Sequence, residues 1–286
     1  MHASIMEFGE KQMKWKEYNK VIVPDVEPKK VELSGEDNRK ILFNKYRSSL
    51  MIRYTSNFDT PEETAWWYCI KDDAFSLENL KSKNRNVVNK GIREFETRTI
   101  DTLQYVDQML EILNSHFNTY DKARKTTEKE VLEKCKILSS NTNFVIIGAF
   151  SRDDSILRGY TWCEIKDNVI YLVEQHVNVS YEKLQINAAL IYGVYKYFET
   201  DILNNGKYIC DGERNILHNT NFQSYLIKYF GFRKAYCKLH IIYRPIIGFI
   251  VKCIFPFRRL LKFSKNAVIA KISSLLFMEE ISRSFK

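Results

Sequence analysis

Two sets of acids and histidines in this 286-residue chain have types and spacings suited to moving protons. Glu174 and His176 stand two apart in residues 168–176, which read as a strand, so both side chains fall on one face. Asp211, Arg214 and His218 follow a second short strand, 208–211, at the edge where ligands enter open α/β sheets. An imidazole such as that of His218 exchanges its proton near neutral pH. Gln223, in the first turn of the next helix, could orient a substrate carbonyl, and Tyr243, ending the last strand, joins it as a substrate-binding candidate. Plainer readings stand beside these. Glu174 and His176 fit the solvent face of a half-buried strand, and His218, Asn219 and Asn221 fit residues capping a helix.

Lys81, Lys83, Arg85 and Lys90 spread over several faces of a helix expected at 77–92. They could hold an anionic moiety such as a nucleotide-sugar diphosphate or a tRNA phosphate, or simply solvate the helix. No Gly-x-Ser-x-Gly elbow or Ser-His-Asp arrangement is present. Six cysteines at 69, 135, 163, 210, 237 and 253 include no C-x-x-C pair and fit neither a zinc site nor a disulfide framework, so no metal is expected.

Composition bounds the class. With 45% hydrophobic and 28% charged residues the chain is an ordinary globular one, and 10 Gly and 5 Pro exclude collagen-like or low-complexity organisation. The net charge of +9 is uneven: between Arg214 and Met278 there are 12 Lys and Arg and no Asp or Glu. Such asymmetry points to an anionic partner, namely nucleic acid, anionic lipid or a phosphorylated cofactor.

Periodicity and turn residues place the elements. Strands are expected at 21–24, 64–70, 91–100, 143–150, 157–165, 168–176, 208–211 and 233–243. Helices are expected at 38–46, 77–92, 101–116, 127–139, 181–198 and 222–229. Ser76 and Asp101 serve as N-caps, and Gly91, Gly206 and Gly231 as stops. Helices, an antiparallel meander, then helix-strand-helix-strand imply a mixed, mostly antiparallel α/β sheet flanked by helices.

That order resembles the GNAT acyltransferase fold, and two segments sharpen the likeness. Residues 80–98 resemble the basic helix and following strand of Fem-type aminoacyltransferases, with Ser82, Lys83, Arg85, Lys90, Gly91 and Arg98 matching. Asp211-Gly212, then Phe230-Gly231-Phe232, are similar to the turns closing a GNAT module. The resemblance, over about residues 60–245, implies an N-terminal GNAT-like half at 1–140 and a C-terminal module at 141–245, a degenerate tandem. It implies transfer of an acyl or aminoacyl group to an amine of a sugar or lipid-linked envelope precursor. It also implies Glu174 as general base, with Asp211 and His218 as further catalytic candidates. Lys83, Arg85, Lys90, Arg214, Gln223 and Tyr243 would then bind substrate. The donor it implies is acyl-CoA or aminoacyl-tRNA. One departure bears on the donor: GNAT enzymes open the central helix with a glycine-rich phosphate turn, whereas residues 177–185 contain no glycine.

Residues 246–286 form a basic, aromatic extension. Lys252 and Pro256 interrupt its apolar part, leaving it too short to span a bilayer, which takes roughly 20 apolar residues. It suits helices lying on an anionic membrane, or packed back on the core or a dimer interface. The N-terminus lacks the apolar run of a signal peptide, so the expected compartment is the cytoplasm, at the inner membrane face if the extension binds lipid. The competing reading is an inactive GNAT-like scaffold that binds membrane or nucleic acid through its basic face.

Overall fold

A computed structural model describes residues 4–8, 11–33, 35–115, 117, 125–216, 221–261 and 266–285. The chain makes two compact units, neither continuous in sequence: Met1–Tyr68 with Glu213–Thr220 and Lys234–Lys286, and Cys69–Gly212 with Asn221–Arg233. This differs from sequential blocks divided at 140 and 245. The reason lies in strands that carry the chain from one unit to the other, which a reading in consecutive segments does not show.

The first unit begins with β1 (Ser4–Phe8), β2 (Lys11–Tyr18), β3 (Val21–Pro24), α1 (Glu36–Lys45) and β4 (Met51–Thr60). The hairpins β1–β2 and β2–β3 are antiparallel, and β3 lies parallel to β4. Their alternating apolar residues close over Trp15, Ile22, Leu42 and Ile52, all fully buried. The chain leaves this unit within β5 (Trp66–Lys71).

The second unit contains α2 (Ser82–Glu94), β6 (Phe95–Thr99), α3 (Val106–Asn114), α4 (Glu128–Ser140), β7 (Phe144–Ser151), β8 (Leu157–Lys166), β9 (Val169–Val177), α5 (Ile186–Asn205), β10 (Tyr208–Glu213) and α6 (Phe222–Phe230). Strands β6 to β9 form an antiparallel meander. Both faces are covered, so β7 is apolar nearly throughout. Ile146 and Phe150 pack with Met109, Ile112 and Leu138 of α3 and α4, while Ala149 packs with Ile186, Ala189 and Leu190 of α5. The sequence places α2 five residues early. Ser76 caps only a short 3-10 turn, its side chain accepting from the Glu78 amide, and α2 proper starts at Ser82.

Gly91 does not stop α2, which runs on to Glu94. Its role is close approach: a Cβ there would sit 2.5 Å from the Gln185 carbonyl oxygen and 2.9 Å from the Ala189 nitrogen at the start of α5. Gly206 and Gly231 do end helices, each with φ +66°.

The first unit resumes with β11 (Arg233–Tyr243), antiparallel to β4, then α7 (Pro245–Ile254), α8 (Arg258–Leu261) and α9 (Ala267–Arg283). Arg244 fixes this return. Its guanidinium donates to the carbonyls of Phe43 (2.7 Å), Tyr46 (3.0 Å) and Ser49 (2.6 Å), capping the end of α1. The far half of α9 packs inward, burying Leu276 and Ile281. Among the described residues no helix is long and apolar enough to cross a membrane.

Candidate functional site

Strand β10 runs parallel to β9 for three pairs, Tyr208↔Val169, Ile209↔Ile170 and Cys210↔Tyr171. β9 then continues to Val177 and β10 to Glu213 without further pairing between them. The separation coincides with a bulge in β9: Trp162 pairs with Glu174 but Cys163 with Leu172, leaving Val173 as the extra residue. A bulge bends its strand, and the two parallel strands part after Cys210, so Asp211 is the first residue of β10 no longer paired with β9.

Asp211 is half-buried, and loss of solvation raises its carboxyl to about 7 from an ordinary 3.8. Gln223, from the first turn of α6, hydrogen-bonds the same carboxylate and holds it lower than burial alone would. A carboxylate poised near 7 exchanges its proton in the working range of a general base. At the start of α5, Gln175 Nε2 donates to Asn187 Oδ1 at 2.6 Å, and the buried Gln175 Oε1 has no partner among the described residues.

Glu174 is built for another task. His176 Nε2 lies 3.0 Å from its carboxylate, and Lys134 of α4 pairs with it too. The histidine bond first, then the lysine, pull the carboxyl down to about 2. Such an acid stays charged at neutral pH and accepts protons poorly. The pair instead ties β9 to α4. A shallow groove of about 420 Å³ beside it, walled by Ile137, Leu138 and Trp162, includes none of the expected site residues.

The remaining expectations divide. Lys83 is exposed on α2, Arg85 is half-buried, and Lys90 donates to the Lys183 carbonyl at 2.9 Å, steadying the turn before α5. Arg214 donates to the Ala65 carbonyl at 2.7 Å and stacks over Phe277. Tyr243 donates to Glu279 at 3.0 Å and anchors α9 to β11. His218 lies outside the described residues. The sequence reading missed Glu213. In the first unit it accepts from Tyr68 Oη (3.2 Å) and faces Arg53 (3.5 Å), while Tyr68 Oη lies 3.0 Å from Thr55 Oγ1.

Several amides in the turn that would cradle a CoA pyrophosphate are engaged within the chain. The Val179 amide donates to Ser115 Oγ, the Ser180 amide to Asn178 Oδ1, and the Tyr181 amide to the Asn178 carbonyl. The Gln185 amide bonds Glu182, and the amides of Ala188 and Ala189 both bond Gln185. Phosphate needs such amides free, and the packing of Gly91 on Gln185 leaves this backbone little room to turn outward. With no glycine and these amides engaged, the turn offers a pyrophosphate fewer free donors than a glycine-rich one would.

The architecture is that of a GNAT-like fold of the Fem type. One solved structure that it resembles is FemX, at 9% identity over 87% of this chain and 90% of that one, with a TM-score of 0.54. L-PGS from Bacillus licheniformis also aligns, at 10% identity over 87% of this chain and 85% of that one, with a TM-score of 0.49. No protein-family model and no curated protein matches the sequence.

Proposed function

We propose that this chain transfers an aminoacyl or acyl group to an amine, acting on a sugar or lipid-linked precursor of the cell envelope. The reading rests on the half-buried Asp211, raised to about 7 and held by Gln223 where β9 and β10 part. The fold shared with FemX and the Fem-like helix at 80–98 support the class.

In this reading the acceptor amine attacks the donor's carbonyl carbon, forming the new C–N bond, and the Asp211 carboxylate takes the proton that the nitrogen gives up. The donor's C–O or C–S bond then breaks, and the leaving oxygen or sulfur takes a proton in turn. Gln223 holds Asp211 in place, so it is a positioning residue. The glycine-free turn before α5, with several of its amides engaged, favours aminoacyl-tRNA over acyl-CoA as donor, with Lys83 and Arg85 on α2 as phosphate contacts.

The test is turnover by the full chain with panels of aminoacyl-tRNA and acyl-CoA donors and amine acceptors, read by mass spectrometry. Mass gain on the acceptor, lost in a folded Asp211→Asn variant, is the expected result. Transfer that survives Asp211→Asn removes the assigned base, and no transfer from either panel by folded protein favours the scaffold reading.

A further inference from the structure

We propose that α7, the turn after it and α8 form a face that lies on an anionic lipid surface. Ile246, Phe249, Ile250 and Cys253 recur at the i, i+3, i+4, i+7 spacing that makes one stripe of a helix. The stripe points outward: Ile246 is 76% exposed, Phe249 69% and Ile250 44%, and Phe257 and Leu260 continue it at 58% and 74%. The other side of α7 is seated on the first unit through Val251, which is buried, and Gly248, against Tyr243. Scattered exposed apolar residues are ordinary, but consecutive ones on one short segment mark a surface that meets another.

Charge selects the occupant. Lys252 adjoins Cys253, Arg259 adjoins Leu260, and both are exposed. Between Arg214 and Met278 no acidic residue offsets them. Arg258 of α8 is paired with Glu280, but Lys252 and Arg259 are exposed beside the stripe, and apolar side chains flanked by such cations suit acyl chains beneath anionic headgroups. At 10 residues α7 is too short to cross a bilayer, so it lies in the interface plane. The far half of α9 is not part of this face, because Leu276 and Ile281 are spent on the core. The surface is independent of the transfer chemistry proposed above.

Of the six cysteines only Cys253 is exposed, so the full-length protein carries one native site for an environment-sensitive fluorophore. Vesicles of phosphatidylcholine with phosphatidylglycerol are expected to shift its emission to the blue, with quenching by spin-labelled acyl chains. Pure phosphatidylcholine should bind about tenfold more weakly or worse. Unlabelled Phe249→Glu and Leu260→Glu variants, shown folded by circular dichroism, should no longer sediment with the anionic vesicles. An unshifted label on wild-type protein, or sedimentation unchanged in the glutamate variants, would falsify the proposal. So would a wild-type dimer that Phe249→Glu converts to monomer, since a second copy would then cover the face. Transfer to a soluble acceptor, measured in parallel without vesicles, succeeds or fails independently of these outcomes.

Discussion

Replacing Asp211 by Asn keeps the shape of the side chain and removes the charge that its half-buried site disfavours. In the transfer reading, loss of a general base lowers kcat/KM by about 10²–10⁴-fold. Wild-type kcat/KM should also rise with pH through about 7, a limb that the variant lacks. Stability moves the other way. The folded pKa lies above the ordinary 3.8, so the folded state holds its proton more tightly and wild-type stability declines as pH rises from about 4 to 7. Thermal melts should therefore show Asp211→Asn more stable than wild type above pH 7, with the gap closing below pH 4. Glu174 has the opposite sign. Its lowered pKa stabilises the fold above about 4.5, and that contribution fades as pH falls towards 2. Being 42% exposed, the pair is screened, so Glu174→Gln should cost less than about 1 kcal/mol at pH 7 and leave kcat/KM unchanged. A Glu174→Gln variant as inactive as Asp211→Asn would reverse these assignments.

The contact between α2 and α5 depends on one missing methyl group. A Cβ on Gly91 would meet backbone atoms, which cannot swing aside as the end of a flexible side chain can. Gly91→Ala removes a helix-unfavourable glycine, worth about 1 kcal/mol in its favour, yet separating the helices costs about 1–3 kcal/mol and sometimes more. Net destabilisation is expected, read as a lower denaturant midpoint with an unchanged slope; a rise in midpoint would show that the helices can part freely. Gly91 also shows what was legible in the sequence. Most strands and helices could be placed to within a few residues, because the turn-bounded apolar runs of β7 to β9 and the stops at Gly206 and Gly231 act locally. A glycine required by a helix 94 residues further on carries the same letter as one that ends a helix. The site divided along the same line. Asp211 beside Gln223 follows from a strand end and a helix start close in sequence. The pairing of Glu174 with Lys134 and the satisfied amides before α5 depend on packing between distant segments, which spacing does not report.

Charge is the property that belongs to the whole chain, and the structure reduces how much of it remains for partners. Of the 12 cations between Arg214 and Met278, Arg214 and Arg244 hold backbone carbonyls, Arg233 pairs with Asp72, and Arg258 with Glu280. Lys252, Arg259 and Lys271 are exposed, as is Lys83 on α2. A polyanionic donor and a small one then make different demands. Each phosphate contact with a single strand or a duplex releases counterions, so affinity for tRNA should fall on a log-log plot against salt with a slope of about −0.7 to −0.9 per contact. With several contacts, doubling the salt weakens binding by close to an order of magnitude. A CoA thioester offers few phosphates, and several amides of the turn that would receive its pyrophosphate are engaged by the chain's own residues. Measured by fluorescence anisotropy across a salt series, tRNA is expected to show the steep dependence. Lys83→Ala should make it shallower by about one contact, and free CoA should not compete. Competition by CoA at concentrations near that of the protein would mean that the turn before α5 opens, and would return acyl-CoA as the donor.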